Sequence, residues 1–145
     1  MRNQLPVYHM TKLFNISEAS NIAVHSLSLI ALSNKPLNTG MIAEMLKLSR
    51  NHIAKVLQIL TKLGIVSSGR GPKGGFVLLI PPEQLSLFEI YEMIDGKFEA
   101  DHCRNQHIDC PFEDCVYGNE RQRLFVEFKK YYSARKLTDI QLKLN

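Results

Sequence analysis

A chain of 145 residues, 45% hydrophobic and 22% charged, holds enough apolar material for one buried core and too little length for a large catalytic fold. Its longest apolar runs, such as Val77 to Ile80, fall far short of the roughly 20 residues that cross a bilayer, so no membrane span is expected. The net charge of +4 is unevenly spread: residues 49–75 carry Arg50, Lys55, Lys62, Arg70 and Lys73 without one Asp or Glu, whereas residues 83–120 carry ten acids against Lys97 and Arg104. The first of these segments suits a polyanion and the second would repel one. Residues 1–10 lack the charged start, apolar stretch and small-residue cleavage site of a secretory leader, which places the chain in the cytoplasm as an expectation.

Ile16, Ala19, Ala23, Leu27 and Ile30 recur at steps of three and four, with Ser17 able to cap, so a first helix is predicted over 16–32. Pro36 punctuates the next stretch, and Ile42, Ala43, Met45 and Leu46 give a second helix of about two to three turns from Thr39. Lys47, Leu48 and Ser49 form a tight connection to a third helix. There Ile53, Val56, Leu57, Leu60 and Leu63 make an apolar stripe that ends at Gly64, a C-terminal cap. A short helix, a tight turn and an amphipathic helix with polar residues at its start form the outline of a helix-turn-helix. Ile65 and Val66, then the glycine-rich basic stretch 67–75, then Phe76 to Ile80, predict a β-hairpin with a basic tip, which is a wing.

Pro81 and Pro82 stop the hairpin, and Ser86 with Glu89 has the spacing of a capping box for a fourth helix that runs to about Asp95 and closes at Gly96. Periodicity then vanishes from Lys97 to Gly118. It resumes from Asn119 to about Lys136, with Leu124, Phe125, Phe128, Tyr131 and Tyr132 on one broad face. The expected fold is therefore mainly α with a small β-hairpin wing. It comprises a winged helix-turn-helix over 16–96, a cysteine-bearing loop over 97–118, and a long C-terminal dimerisation helix with its tail over 119–145. A terminal helix so rich in aromatics calls for a partner surface, and the expected partner is a second copy of the chain.

On the third helix the apolar stripe leaves Arg50, Asn51, His52, Lys55 and Gln58 on the other side. Arg and Lys donate to guanine, Asn and Gln pair with adenine, and Ser49 with the helix start suits a phosphate. Arg70 and Lys73 on the glycine-supported tip are placed to reach the DNA backbone or minor groove. The expected binding residues are thus Ser49, Arg50, Asn51, His52, Lys55, Arg70 and Lys73. The expected ligand is double-stranded DNA with palindromic half-sites, because a two-fold dimer reads a two-fold site.

Six residues separate Cys103 from Cys110 and four separate Cys110 from Cys115, neither being the two-residue gap of zinc fingers and redox dithiols. Three thiolates in one loop suit an iron-sulfur cluster. Zinc completed by His102 or His107 is the other reading left open by spacing alone. An enzyme with a reactive cysteine finds no Cys, His and acid arrangement in this sequence and would leave the basic face unexplained, so no enzymatic activity is expected.

The run Ser49, Arg50, Asn51, His52, Ile53, Ala54, Lys55, Val56, Leu57, then Leu63 and Gly64, then Arg70, Gly71, Pro72, Lys73, Gly74, Gly75, Phe76, resembles the IscR and NsrR family of bacterial winged-helix regulators. The likeness continues through Leu87 to Gly96 and into the three-cysteine loop, and so spans nearly the whole chain after Ile16. It implies a homodimer whose DNA affinity depends on a 2Fe-2S or 4Fe-4S cluster held by Cys103, Cys110 and Cys115, with redox state, nitric oxide or iron-sulfur supply as the signal. In similar proteins the fourth ligand is a histidine just after the last cysteine, or a carboxylate or histidine on the partner's first helix. Here Glu120 is the nearest ligand type after Cys115, the family's carboxylate position is Asn21, and the candidates on the first helix are His25 and, one turn before Asn21, Glu18. A transcriptional repressor is the function these implications describe. A zinc-stabilised or metal-free winged-helix protein without redox sensing is the alternative.

Overall fold

Five α-helices and one β-hairpin make up the described part of the computed structural model, which covers residues 16–99, 111–116, 118 and 120–142. The first helix, α1 (Glu18–Leu32), begins where Ser17 caps it by accepting the Ser20 N–H at 3.1 Å. It runs through the centre of the molecule. Ile22, Ala23, Val24, Leu27, Leu29 and Ile30 are buried, while Glu18, Asn21 and His25 form an exposed stripe at steps of three and four.

Asn38 caps α2 (Thr39–Leu46) through its Oδ1, which accepts the Met41 N–H at 2.9 Å. Lys47 ends α2 with φ at +55°, the only non-glycine residue in the left-handed region among those described. That conformation lets the Leu48 and Lys47 N–H groups reach back to the carbonyls of Ala43 and Glu44 and turns the chain into α3 (Arg50–Lys62). Gly64, at φ +71°, closes α3 as expected. Its N–H bonds the Thr61 carbonyl, the Ile65 N–H bonds that of Leu60, and both Leu60 and Ile65 are buried beneath the cap.

The hairpin pairs β1 (Val66–Ser68) with β2 (Phe76–Leu78) in antiparallel register, Val66 facing Leu78 and Ser68 facing Phe76. A third, one-residue rung comes from the connector between α1 and α2, where Leu37 and Phe76 exchange two backbone hydrogen bonds of 3.3 and 2.8 Å. Gly75 is the reason that the two segments can meet, since a Cβ there would stand 2.7 Å from the Leu37 carbonyl carbon. The wing is thereby fastened to the residue just before the α2 cap.

After a 3-10 turn at Pro82–Gln84, α4 (Leu87–Asp95) starts with the capping box read from the sequence: the Ser86 hydroxyl accepts the Glu89 N–H while the Glu89 carboxylate accepts the Ser86 N–H at 2.8 Å. Helix α5 (Glu120–Ala134) lies against α4 through an aromatic cluster in which Phe128 and Tyr132 meet Phe88 and Tyr91. The broad face predicted for this helix therefore divides. Phe128 and Tyr132 are half-buried on their own chain, whereas Leu124 and Tyr131 of the same face remain 39% and 58% exposed, as does Val126, outside that face, at 50%. Beyond α5 the chain returns to α4, with the Leu87 N–H bonding the Arg135 carbonyl and the Leu137 N–H bonding that of Leu85. Leu137 joins Leu27, Ile42, Ile53, Leu57, Leu60 and Ile90 as a fully buried member of the core. None of the helices is long and apolar enough to cross a membrane among the described residues.

Candidate nucleic-acid interface and cysteine segment

Ile53, Val56, Leu57 and Leu60 bury one side of α3, and this rotation leaves Arg50, Asn51, His52, Lys55 and Gln58 exposed on the other. Ser49 stands at the N-cap position without a side-chain capping bond, so its hydroxyl is not committed to the helix it precedes. The Arg50 guanidinium lies over the first turn of α2, within 3.8 Å of where a Cβ on Gly40 would be. A Cβ at position 40 would meet it in ordinary contact and press more closely on the Asn38 Oδ1, at 3.3 Å. His52 turns the other way, toward α1, with Nδ1 4.0 Å from the Glu18 carboxylate.

The wing tip is an ordered turn. The Gly69 and Gly75 backbones exchange hydrogen bonds of 2.8 and 3.2 Å at its base, and the Gly74 N–H bonds the Gly71 carbonyl at 2.9 Å around Pro72 and Lys73. Gly74 has no room for a side chain, because a Cβ would fall 2.3 Å from the Gly69 oxygen. Arg70 and Lys73 project from this tip and are exposed. All seven residues expected to meet DNA are solvent-facing, five at the start of α3 and two on the wing.

Of the expected metal ligands, Cys103 and Cys110 lie outside the described residues, as do His102 and His107. Cys115 is exposed in a turn where its carbonyl accepts the Gly118 N–H at 2.8 Å. Among the described residues no group of three or more His, Cys, Asp or Glu side chains is gathered in a way that could hold a metal. The two candidates on α1 are in different situations. Glu18 faces His52 of its own chain. His25 Nδ1 lies 2.7 Å from the Asn21 carbonyl; a carbonyl only accepts, so Nδ1 is the donor of this bond. Histidines that bind a metal through Nε2 make this kind of bond from Nδ1.

One polar device was not legible as a site residue. Asp95, the last residue of α4, accepts the Ser17 N–H at 2.9 Å and the Ser20 O–H at 2.7 Å through the same oxygen, Oδ2. Glu92 Oε1 in turn accepts the Phe98 N–H at 3.3 Å, and the Phe98 ring sits against Phe88 and Phe128. The root of the cysteine segment is thus fixed both to the start of α1 and to the α4–α5 contact.

A solvent-facing helix of a helix-turn-helix, joined to a glycine-built basic wing, defines a winged-helix DNA-binding protein. Residues 16–141 match the Rrf2 family, described as iron-dependent transcriptional regulators, and the chain belongs to that family. It is 31% identical over 136 residues to protein aau3 of Rhizobium meliloti, covering 90% of this chain and 88% of that one. In fold it is similar to CymR, the global cysteine regulator of B. subtilis, with a TM-score of 0.70 at 20% identity over 87% of this chain and 95% of that one. It is also similar to T. potens IscR, with a TM-score of 0.69 at 19% identity over 91% and 94% of the respective chains. The chain is a DNA-binding transcriptional regulator with the mainly helical, winged architecture expected from its sequence.

Proposed function

We propose that the protein is a homodimeric repressor that reads a palindromic operator with Ser49, Arg50, Asn51, His52, Lys55, Arg70 and Lys73, its affinity set by an iron-sulfur cluster on Cys103, Cys110 and Cys115. The observation that carries the operator reading is the shared exposure of the α3 start and the wing tip in a stretch without a single acid from residue 49 to 75. Arg50 and Lys55 offer donors to guanine or phosphate, Asn51 pairs with adenine, and the wing lysine and arginine add backbone attraction.

Three thiolates, a family described as iron-dependent, and the exposed His25, whose Nδ1 is engaged by the Asn21 carbonyl, support the cluster. Glu18 is the weaker candidate for a fourth ligand, since its carboxylate faces His52 of its own chain. His25 lies on the exposed stripe of α1, where the partner subunit's cysteine segment can approach. The donor set fits a thiolate-rich cluster with one imidazole, which would supply a one-electron or nitric-oxide-sensitive response when bound. The chain's own part is to anchor the start of the cysteine segment through Asp95 and Phe98, and to present α5 to a second copy through Leu124 and Tyr131. Redox state, nitric oxide and iron-sulfur supply are the signals such a centre can convert into a shift between two DNA affinities.

Anaerobic purification followed by visible absorption, iron and sulfide assays tests the cluster. Colour with stoichiometric iron and sulfide is expected, and a colourless protein carrying only zinc, or no metal, overturns it in favour of a structural-metal or metal-free regulator. Arg50→Ala and Arg70→Ala should each weaken binding to a duplex selected by the protein from a random pool. Unaltered binding in both removes the reader assignment.

A further inference from the structure

Three phenylalanine rings meet where the cysteine segment leaves α4, and each comes from a different part of the chain. Phe88 belongs to α4, Phe128 to α5 and Phe98 to the start of the segment, with ring centroids 6.0, 6.1 and 6.2 Å apart in a nearly equilateral triangle. All three spacings lie within the range of about 4.5–7 Å over which tilted and edge-on rings attract. Gly96 makes the meeting possible. Its φ of +85° and ψ of 179° belong to a region open essentially to glycine, and the turn it makes brings the Phe98 N–H back to Glu92 Oε1 at 3.3 Å.

The three vertices are not equally fixed. Phe88 is buried in α4, and the end of that helix is tied to α1 through the bonds of Asp95 to Ser17 and Ser20. No residue of α5 is buried, and α5 is secured at its far end, where Leu137 enters the core just beyond it. A displacement of Phe98 is therefore taken up by Phe128 and the first half of α5 before it moves α4. The other end of the cysteine segment bears on the same helix, since Cys115 comes shortly before Glu120, the first residue of α5.

We propose that Phe98 is a positioning residue, a wedge that sets the angle between α5 and α4, and that through this ring the state of the cysteine segment reaches the α5 pairing surface and so the spacing of two recognition helices. The inference rests on the cysteines holding a responsive centre and on α5 pairing with a second copy, and the test separates these from the wedge. Wild type, Phe98→Ala and Phe98→Tyr are compared as full-length protein, each either reconstituted anaerobically with iron and sulfide or stripped with a chelator, with the melting temperature of each. Hydrogen exchange of the stripped forms comes first because it needs no cluster. In Phe98→Ala the amides of residues 124–128 should exchange at least about fivefold faster, while those of α4 keep their protection. Unchanged exchange there, or an equal gain over α4 and α5, overturns the wedge.

Sedimentation then reads the coupling. Self-association of the wild type should differ between the loaded and stripped forms by about fivefold or more, the low end of couplings between linked sites. Phe98→Ala should bring that ratio close to one, and Phe98→Tyr, which keeps the ring, should restore it. A Phe98 that merely stabilises the fold would lower the melting temperature and leave the ratio as in the wild type, and that result overturns the coupling. If the wild type takes up no iron, or its two forms associate alike, it is the cluster reading that fails, and the exchange pattern still decides whether Phe98 sets α5.

Discussion

Helices α3 and α5 are similar in length, 13 and 15 residues, and both are rich in charge and apolar side chains, yet α3 has four buried residues and α5 has none. The difference lies in where each finds its cover. Ile53, Val56, Leu57 and Leu60 repeat at helical spacing on one narrow side of α3, so a single chain can bury them all and leave the other side to a ligand. On α5 the apolar residues extend around more than one side. Phe128 and Tyr132 are taken by α4, and Leu124, Val126 and Tyr131 are left over. Among the described residues α3 hides its main apolar stripe within its own chain, while α5 leaves Leu124, Val126 and Tyr131 uncovered.

The sharpest way to break this contrast is truncation inside α3. Leu57→Ala, at a fully buried position, should lower unfolding free energy by about 2–5 kcal/mol in urea titration. A loss below about 1 kcal/mol would mean that α3 is less integrated than its burial indicates. Next in size is Gly75→Ala, whose new methyl must push the wing off Leu37. A loss of about 1–3 kcal/mol is expected by thermal or chemical denaturation, together with weakened operator binding from a displaced Arg70 and Lys73. On α5 the expected pattern is the reverse. Leu124→Asp and Tyr131→Asp should leave the fold of the isolated chain within about 0.5 kcal/mol of the wild type. Sedimentation should show the assembly shifting toward the monomer, and undiminished association would show that this face is not the one that pairs.

The smallest effect concerns acid. The Glu89 carboxyl is held below its ordinary value by the Ser86 hydroxyl and amide, with Lys136 3.8 Å away adding attraction. Its folded pKa is thus lower than its unfolded one, so the stabilisation is full above the unfolded value and lost as pH falls through the folded one. With half of the Glu89 side chain exposed, solvent screening keeps the contribution under about 1 kcal/mol. Glu89→Gln should remove that part of the stability decline between neutral and acidic pH, and an unchanged pH profile would exclude it.

Much of the reader was legible because its signals are local. Ser17 and the Ser86–Glu89 pair announce helix starts within three residues, Gly64 announces an end, and the α3 stripe declares which face is free. Lys47 gave no such signal, since a left-handed cap is ordinarily written with glycine or asparagine. The division of α5 was not legible either. Helical periodicity says which residues share a side but not whether the cover comes from the same chain. Nor could Asp95 be singled out, because its bonds to Ser17 and Ser20 span more than seventy residues and leave no spacing rule to read. For the same reason Glu18 and His25, one helical face in the sequence, became distinct only when their neighbours, His52 and the Asn21 carbonyl, were in place.

The burial of Leu137 bears on how the molecule can be cut. Its side chain is fully buried in a core whose other buried members all precede Gly96, and the strand-like pairing of Lys136 with Ser86 holds it there. A fragment that stops at the end of α4 would therefore carry a leucine-sized hole and an open edge along Ser86, however faithfully it preserved every residue expected to face DNA. The turn at Leu137–Asp139 is a keystone for the first helices, so the winged-helix half depends on residues that follow α5.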